Sequence, residues 1–152
     1  MRDFDRIMFS SEVRDLREEV GRLFEDLDRT AAGRPRPPGH CTPSLDVLEC
    51  ETGVEVVVDL PGVPADRVRV LLKNGSLLVV GEKCSPYGGE QREASFHLVE
   101  RGFGRFARAV QLDGSFDVGR TRAVAQGGAL RISVPRIAER RGQEFLVPVA
   151  QS

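Results

Sequence analysis

The fold of this chain is decided by the stretch from Gly119 to Pro135, which reads GRTRAVAQGGALRISVP. Its second half alternates, because Leu130, Ile132 and Val134 share one face and the residues between them are polar. That period of two predicts a β-strand with one buried side. The Gln-Gly-Gly sequence at 126–128 predicts the turn before it, since glycine takes positive φ at no steric cost.

Ahead of that turn, a partner strand carries small residues on one side, Thr121, Ala123 and Ala125, which leave room for a segment to lie across them. An alanine, three further residues, then a turn residue, glycine, a small apolar residue and leucine resembles the signature of the small heat-shock proteins, in their α-crystallin domain. Ala123, Gly128 and Leu130 match that signature.

Further segments strengthen the resemblance. Asp-Leu-Pro-Gly-Val at 59–63, Phe-His-Leu-Val-Glu-Arg at 96–101 and Gly-Arg-Phe at 104–106 are similar to family motifs. Independently of the family, strands spaced by about ten residues with turn signals between them indicate an antiparallel β-sandwich. The chain is identified as a member of the family's bacterial type, with an all-β, immunoglobulin-like sandwich, a helical N-terminal arm and a flexible C-terminal tail.

The chain divides into three predicted parts. Residues 1–42 form an N-terminal arm, residues 43–135 the α-crystallin domain, and residues 136–152 a C-terminal extension. Within the arm, apolar residues at helical spacing predict an amphipathic helix over about 10–29. The proline- and glycine-rich composition of residues 30–42 predicts a linker.

The apolar stripe of the predicted helix needs a partner, because an isolated helix of this length is marginal in water. The stripe packs on the chain's own domain or on a copy of it in a dimer, or it takes up unfolded client proteins. Both hold if the packing is reversible. The arm residues that we expect to bind clients are Phe4, Ile7, Met8, Phe9, Leu16, Leu23 and Phe24.

A second predicted hairpin, turned at Asn74-Gly75, departs from the family pattern. Leu71, Leu78 and Val80 fall on its outward face, at positions that are usually polar in relatives. An apolar patch of this kind predicts that another element covers it. The sequence does not say which element does so.

The resemblance also implies a dimer contact. In bacterial and plant relatives the segment matching 96–101 is a strand on a long loop that reaches into the neighbouring subunit. The contact residues implied here are Phe96, His97, Leu98, Val99, Glu100 and Arg101, with Arg108 as a structural arginine near them. Because Arg108 falls on the core-facing side of its strand, it needs a carboxylate or carbonyl partner.

Near the C-terminus, Val147-Pro148-Val149 looks like the family's oligomer anchor, which docks in a groove between two strands. The groove residues implied here are Val68, Val70, Leu72, Thr121, Ala123 and Ala125. A proline within a strand is tolerated at a sheet edge, which suits such docking. Burying two valines contributes about 3–5 kcal/mol before ordering costs, so one link is weak and reversible. A tail folded back on its own domain is the alternative.

Composition excludes several classes of partner. The 22 basic and 23 acidic residues give a formal net charge of −1, which favours neither a nucleic acid nor a membrane surface as partner. No apolar run approaches the ~20 residues of a membrane span, and the N-terminus does not resemble a secretory signal. Because Cys41, Cys50 and Cys84 cannot all pair internally, they favour a cytoplasmic location.

The sequence contains no recognisable catalytic, metal or cofactor site. Its glycine-rich segments lack the Lys-Ser/Thr pair of a phosphate loop, so chaperone action would proceed without ATP hydrolysis. The predicted function is an ATP-independent holding chaperone that binds unfolded clients and works as a dynamic homo-oligomer of dimers. Two alternatives stay open: a p23-like adaptor sandwich with a dedicated protein partner, and a thiol-dependent hydrolase that uses Cys84 and His97.

Overall fold

The structure is a computed structural model that describes residues 11–30, 39–87, 94–137 and 146–151. Within these ranges one α-helix, α1 (Ser11–Thr30), precedes seven β-strands. The strands are β1 (Leu45–Cys50), β2 (Gly53–Asp59), β3 (Val68–Lys73), β4 (Ser76–Lys83), β5 (Gly104–Gln111), β6 (Arg122–Gln126) and β7 (Ala129–Pro135).

The described strands form two antiparallel sheets that pack as a sandwich. One sheet has the order β1-β2-β7-β6 and the other the order β3-β4-β5. The stretch 119–135 supplies β6 and β7, and Ile132 of β7 lies opposite Val56 at the centre of β2. The buried core lies between the sheets and is formed by Val54, Val56, Val58, Leu60, Leu77, Val79, Phe106, Leu112, Leu130, Ile132 and Val134. The predicted all-β sandwich is confirmed.

Two hairpins have the turns that their sequences predict. Asn74 and Gly75, between β3 and β4, have φ values of 51° and 75°. Gly127 and Gly128, between β6 and β7, have φ values of 61° and 78°. Positive φ at both central residues defines the type I′ turn, whose twist matches that of the flanking strands.

Backbone pairing of the sandwich begins at Gly39, inside the segment 30–42 that composition marks as a linker. The N–H of Arg105 donates to the Gly39 carbonyl at 3.1 Å, and the N–H of Cys41 donates to the Arg105 carbonyl at 3.0 Å. The two backbones approach closely because Gly104 has no side chain, and a Cβ there would overlap the Gly39 carbonyl. The end of the linker therefore lies against the start of β5.

Helix α1 packs on the outer face of the three-stranded sheet, over β3 and β4. Leu27 of the helix and Leu78 and Val80 of β4 are fully or almost fully buried, although none of them belongs to the core between the sheets. The chain's own helix thus covers the apolar patch that the sequence left without a partner. The sequence left two packing partners open for the helix, and in the structure it packs on the chain's own domain.

Candidate interaction surfaces

An open groove lies between the two sheets where their edge strands β3 and β6 come together. It encloses about 700 Å³, and Val68 and Val70 of β3 line it opposite Ala123 and Ala125 of β6. Its further lining includes Leu130, beside the β6–β7 turn. Four of the six residues that the sequence assigns to an anchor groove therefore share one cavity.

The other two residues of that set lie outside the cavity lining. Leu72 and Thr121 are half-buried, and Leu72 packs against the core. The groove is open because its β6 wall consists of alanines: Ala123 lies opposite Ile132 and Ala125 opposite Leu130. A β6 residue with a longer side chain on this face would narrow the cavity.

The candidate anchor is not seated in this groove. Val147 and Val149 are 77% and 96% exposed, and the preceding Leu146 is 99% exposed. Pro148 between the valines is also exposed. The segment therefore presents two branched apolar side chains to the surroundings rather than to its own domain.

The opposite side of the sandwich presents a second set of exposed apolar groups. Edge strand β1 exposes Val47 and Leu48. Phe96, Leu98 and Val99, in the segment before β5, are 65–73% exposed. The whole predicted dimer segment, Phe96, His97, Leu98, Val99, Glu100 and Arg101, is exposed and has no strand structure within this chain.

Arg108 has the kind of partner that its position requires. Its side chain is half-buried, and one guanidinium nitrogen donates to the carbonyl of Pro43 at 2.5 Å. This carbonyl lies just ahead of β1, so Arg108 ties β5 to the edge of the other sheet. Its proposed role near a dimer contact remains a prediction.

A charged cluster beneath α1 was not anticipated from the sequence. Glu82 of β4 pairs with Arg67 at 3.0 Å and with Arg105 of β5 at 2.9 Å, and all three residues are at least 95% buried. Arg105 also donates to Asp28 of α1, and its guanidinium lies over the ring of Phe24, 4.6 Å from the centroid. Two arginines and two carboxylates make the completed cluster neutral.

The alternation of β4 contains a signal for this cluster. Leu78, Val80 and Glu82 share the outward face of the strand. A carboxylate that continues an apolar face is covered by the same element and requires cationic partners. Arg105, directly opposite Glu82 in the β4–β5 register, is the first candidate for such a partner.

Two further ion pairs join the helix to β3. Asp26 accepts a hydrogen bond from Arg69 at 2.8 Å, and Glu19 accepts one from Lys73 at 2.6 Å. The hydrogen bond from Lys73 lowers the pKa of Glu19, and that from Arg69 lowers the pKa of Asp26. Three ion pairs thus join α1 to cations of the sheet, and in each of them the helix supplies the carboxylate.

The predicted client-binding residues that the structure describes lie within this covered interface. Leu16, Leu23 and Phe24 are half-buried on α1. The other predicted client-binding residues, Phe4, Ile7, Met8 and Phe9, lie outside the described residues. The three helical residues become fully available only if α1 leaves the sheet.

The groups considered for chemistry are dispersed. Cys84 and His97 are both exposed, and neither makes a hydrogen bond to the other within the described ranges. Among those residues, no cluster of three or more His, Cys, Asp or Glu side chains could hold a metal ion. The helix that the structure describes is too polar to cross a membrane.

The sequence matches the family model of the Hsp20/alpha crystallin family over residues 46–149. The chain belongs to this family. The match covers both sheets and extends through the exposed Val147-Pro148-Val149 segment. Small heat-shock proteins are chaperones rather than enzymes, so membership supports a chaperone role and not a catalytic one.

Individual relatives agree with this assignment. Heat shock protein 16 of Schizosaccharomyces pombe is 34% identical over 100 residues, which are 66% of this chain and 70% of that protein. The 17.7 kDa class II heat shock protein of Arabidopsis thaliana is 31% identical over 92 residues, which are 60% of this chain and 59% of that protein. The solved structure of Heat shock protein 16.0 from S. pombe has a TM-score of 0.62 at 30% identity, covering 72% of this chain and 99% of that one.

Proposed function

We propose that this small heat-shock protein is an ATP-independent holding chaperone. It binds partly unfolded proteins through apolar surface and keeps them from aggregating, and it works as a dynamic homo-oligomer built from dimers. The proposal rests on the presence, in one chain, of open β edges and of exposed apolar segments. Each side of the sandwich has one such edge and one such segment.

On one side, the anchor Val147-Pro148-Val149 complements the groove of a neighbouring subunit. The groove has alanines where the valines would enter, and its own tail does not fill it. An extended segment on a sheet edge gains main-chain hydrogen bonds, while its alternate side chains enter pockets. Because each link is weak, an oligomer held by several of them is stable yet exchanges subunits.

On the other side, the segment 96–101 complements edge strand β1 of a second copy. Both surfaces are apolar and exposed in the single chain, and an unpaired edge strand is a template for pairing with another chain. Mutual exchange of this segment would give a symmetric dimer, in which the same patch serves both subunits. Arg108, next to β1 through the Pro43 carbonyl, would then lie close to the contact.

Clients would bind to the apolar side chains of the N-terminal arm, including Leu16, Leu23 and Phe24. Apolar area needs no defined motif in its partner, which suits a chaperone that receives many different unfolded chains. We also propose a cytoplasmic location. The three cysteines are free of disulfides, as expected in a reducing compartment.

Light scattering tests the proposed function. A heat-labile enzyme is warmed with and without equimolar full-length chain, in the absence of ATP, and again with added ATP. We expect suppressed scattering that ATP does not change. Scattering equal to that of the enzyme alone, or suppression that requires ATP, would refute a holding chaperone.

A further inference from the structure

We infer that the outer face of the β3–β4–β5 sheet is a binding surface for acidic amphipathic segments, and that α1 is its intramolecular occupant. The natural occupant in trans would be a segment of a client chain that combines apolar and acidic residues at helical spacing. The identity of that occupant rests on the proposed chaperone function. The surface itself is defined by the packing of α1.

The register of the sheet arranges this face in rows. Leu71 lies opposite Leu78, and Arg69 lies opposite Val80. Leu71, Leu78 and Val80 form an apolar strip, continued on β5 by alanines at 107 and 109. Lys73 stands at one end of the strip and Arg105, beside Glu82, at the other.

Cations therefore frame the apolar strip along one edge and at both ends. Arg69, Lys73 and Arg105 each form an ion pair with one carboxylate of α1. The helix segment 11–30 carries seven acidic residues against four arginines, a net charge of −3. Apolar contact and charge complementarity together describe a partner that is amphipathic and acidic.

The placement of the acids on the helix supports this assignment. Asp26 and Asp28 lie in the last turns of α1, where the helix dipole disfavours negative charge. Their position is explained by the sheet, because they contact Arg69 and Arg105. Without an acid from the occupant, the buried cluster of Arg67, Glu82 and Arg105 would keep an uncompensated positive charge.

Docking of α1 is suited to exchange. Gly21 in the middle of the helix lowers its intrinsic stability, and a separate helix of this length is marginal in water. Each of its three ion pairs with the sheet includes one side chain that is about half exposed, and such pairs are weak. A client segment with better apolar contacts can therefore compete for the same strip.

The chain allows a selective covalent test, because Lys73 and Lys83 are its only lysines. A carbodiimide joins a carboxylate to an amine at ion-pair distance, and Lys73 lies 2.6 Å from Glu19. Treatment of the full chain should give a Lys73–Glu19 amide that fixes α1 on the sheet, identified by peptide mass spectrometry. The matched control is Lys73→Arg, which keeps the positive charge but cannot form the amide.

The probe is a fluorescent peptide with the sequence of residues 11–30, and fluorescence anisotropy measures its binding to the full chain. We expect binding to a Glu19→Gln/Asp26→Asn/Asp28→Asn variant, whose own helix is held less firmly, to be roughly tenfold tighter than to the unmodified chain. We expect the Lys73–Glu19 amide to abolish binding, while the treated Lys73→Arg control still binds. A peptide with amides in place of the acids at 19, 26 and 28 should bind roughly tenfold more weakly.

The proposal is overturned if the peptide binds the locked and control chains equally, or if the loosened variant binds no better than the unmodified chain. It is also overturned if the amide-substituted peptide binds as well as the acidic one. The light-scattering assay on the same samples separates the two proposals. Suppression without peptide binding would refute only this surface, and peptide binding without suppression would refute only the chaperone role.

Discussion

Arg105 of β5 donates a hydrogen bond to Asp28 of α1, and this contact completes the charge balance of a buried cluster under the helix. The same guanidinium pairs with Glu82, which also pairs with Arg67. Glu82 is almost fully buried, whereas about half of the Asp28 side chain is exposed. Removing the Glu82 carboxylate should therefore lower the free energy of unfolding more than removing that of Asp28.

Glu82→Gln should destabilise the chain by about 3–5 kcal/mol, because it leaves two buried arginines without their shared counter-charge. Asp28→Asn should cost only about 1 kcal/mol, because water screens that partly exposed pair. Denaturant unfolding measures the difference. Both variants must be compared with the unmodified chain at one protein concentration, since self-association contributes to apparent stability. Equal effects of the two substitutions would contradict the described burial.

The docking of α1 should weaken in acid. The pKa values of Glu19 and Asp26 lie below their ordinary values of 4.5 and 3.8 because of the hydrogen bonds from Lys73 and Arg69. A carboxyl group whose pKa is lowered by docking stabilises the docked helix at any pH above its ordinary pKa. This stabilisation is lost as the pH falls through the lowered pKa. Far-UV circular dichroism should show loss of helix in that window. A Glu19→Gln/Asp26→Asn variant should lack this transition, and an unchanged transition would contradict the role of these pairs.

Gly81→Ala should destabilise the sandwich. A Cβ at Gly81 would overlap the ring of Phe106 and come within 2.6 Å of the Arg67 carbonyl. Overpacking of a core contact typically costs about 1–3 kcal/mol. The matched control is Gly21→Ala in α1, where a Cβ meets nothing within 4 Å. That change should stabilise the helix by up to about 1 kcal/mol. Equal unfolding temperatures of the two variants would contradict the surroundings described for Gly81 and Gly21.

Ala125→Leu should weaken assembly by occupying part of the groove between β3 and β6. The leucine would occupy the space that the proposal assigns to an anchor valine of a neighbouring subunit. Val124→Leu is the control, because Val124 lies on the opposite face of the same strand and is exposed. Size-exclusion chromatography with light scattering should show smaller particles for Ala125→Leu alone. Equal particle sizes for the two variants would place the anchor elsewhere.

Much of the sandwich is predictable because local and global signals agree. In β7, the alternation of Leu130, Ile132 and Val134 matches their burial. The Asn74-Gly75 and Gly127-Gly128 turns follow from the need for positive φ at two successive residues. These features depend on residues close together in the chain, so they can be predicted from a single sequence.

The packing of α1 could be predicted only in part. The apolar patch at Leu71, Leu78 and Val80 requires a cover, and the stripe of the helix requires a partner, but periodicity does not join the two. The pairing of Asp28 with Arg105 spans 77 residues and depends on the angle at which the helix crosses the sheet. That angle cannot be derived from the sequence alone.

In the proposed assembly, the exposed apolar segments of each chain lie on the open sheet edges of its neighbours. Native mass spectrometry of a Val147→Glu/Val149→Glu variant tests it most directly, with Leu146→Glu as the control because Leu146 is equally exposed and adjacent to the anchor. We expect the double variant to fall to dimers, whereas the control keeps the large oligomer. A double variant with the same subunit number as the unmodified chain, on dilution and on heating, would contradict it.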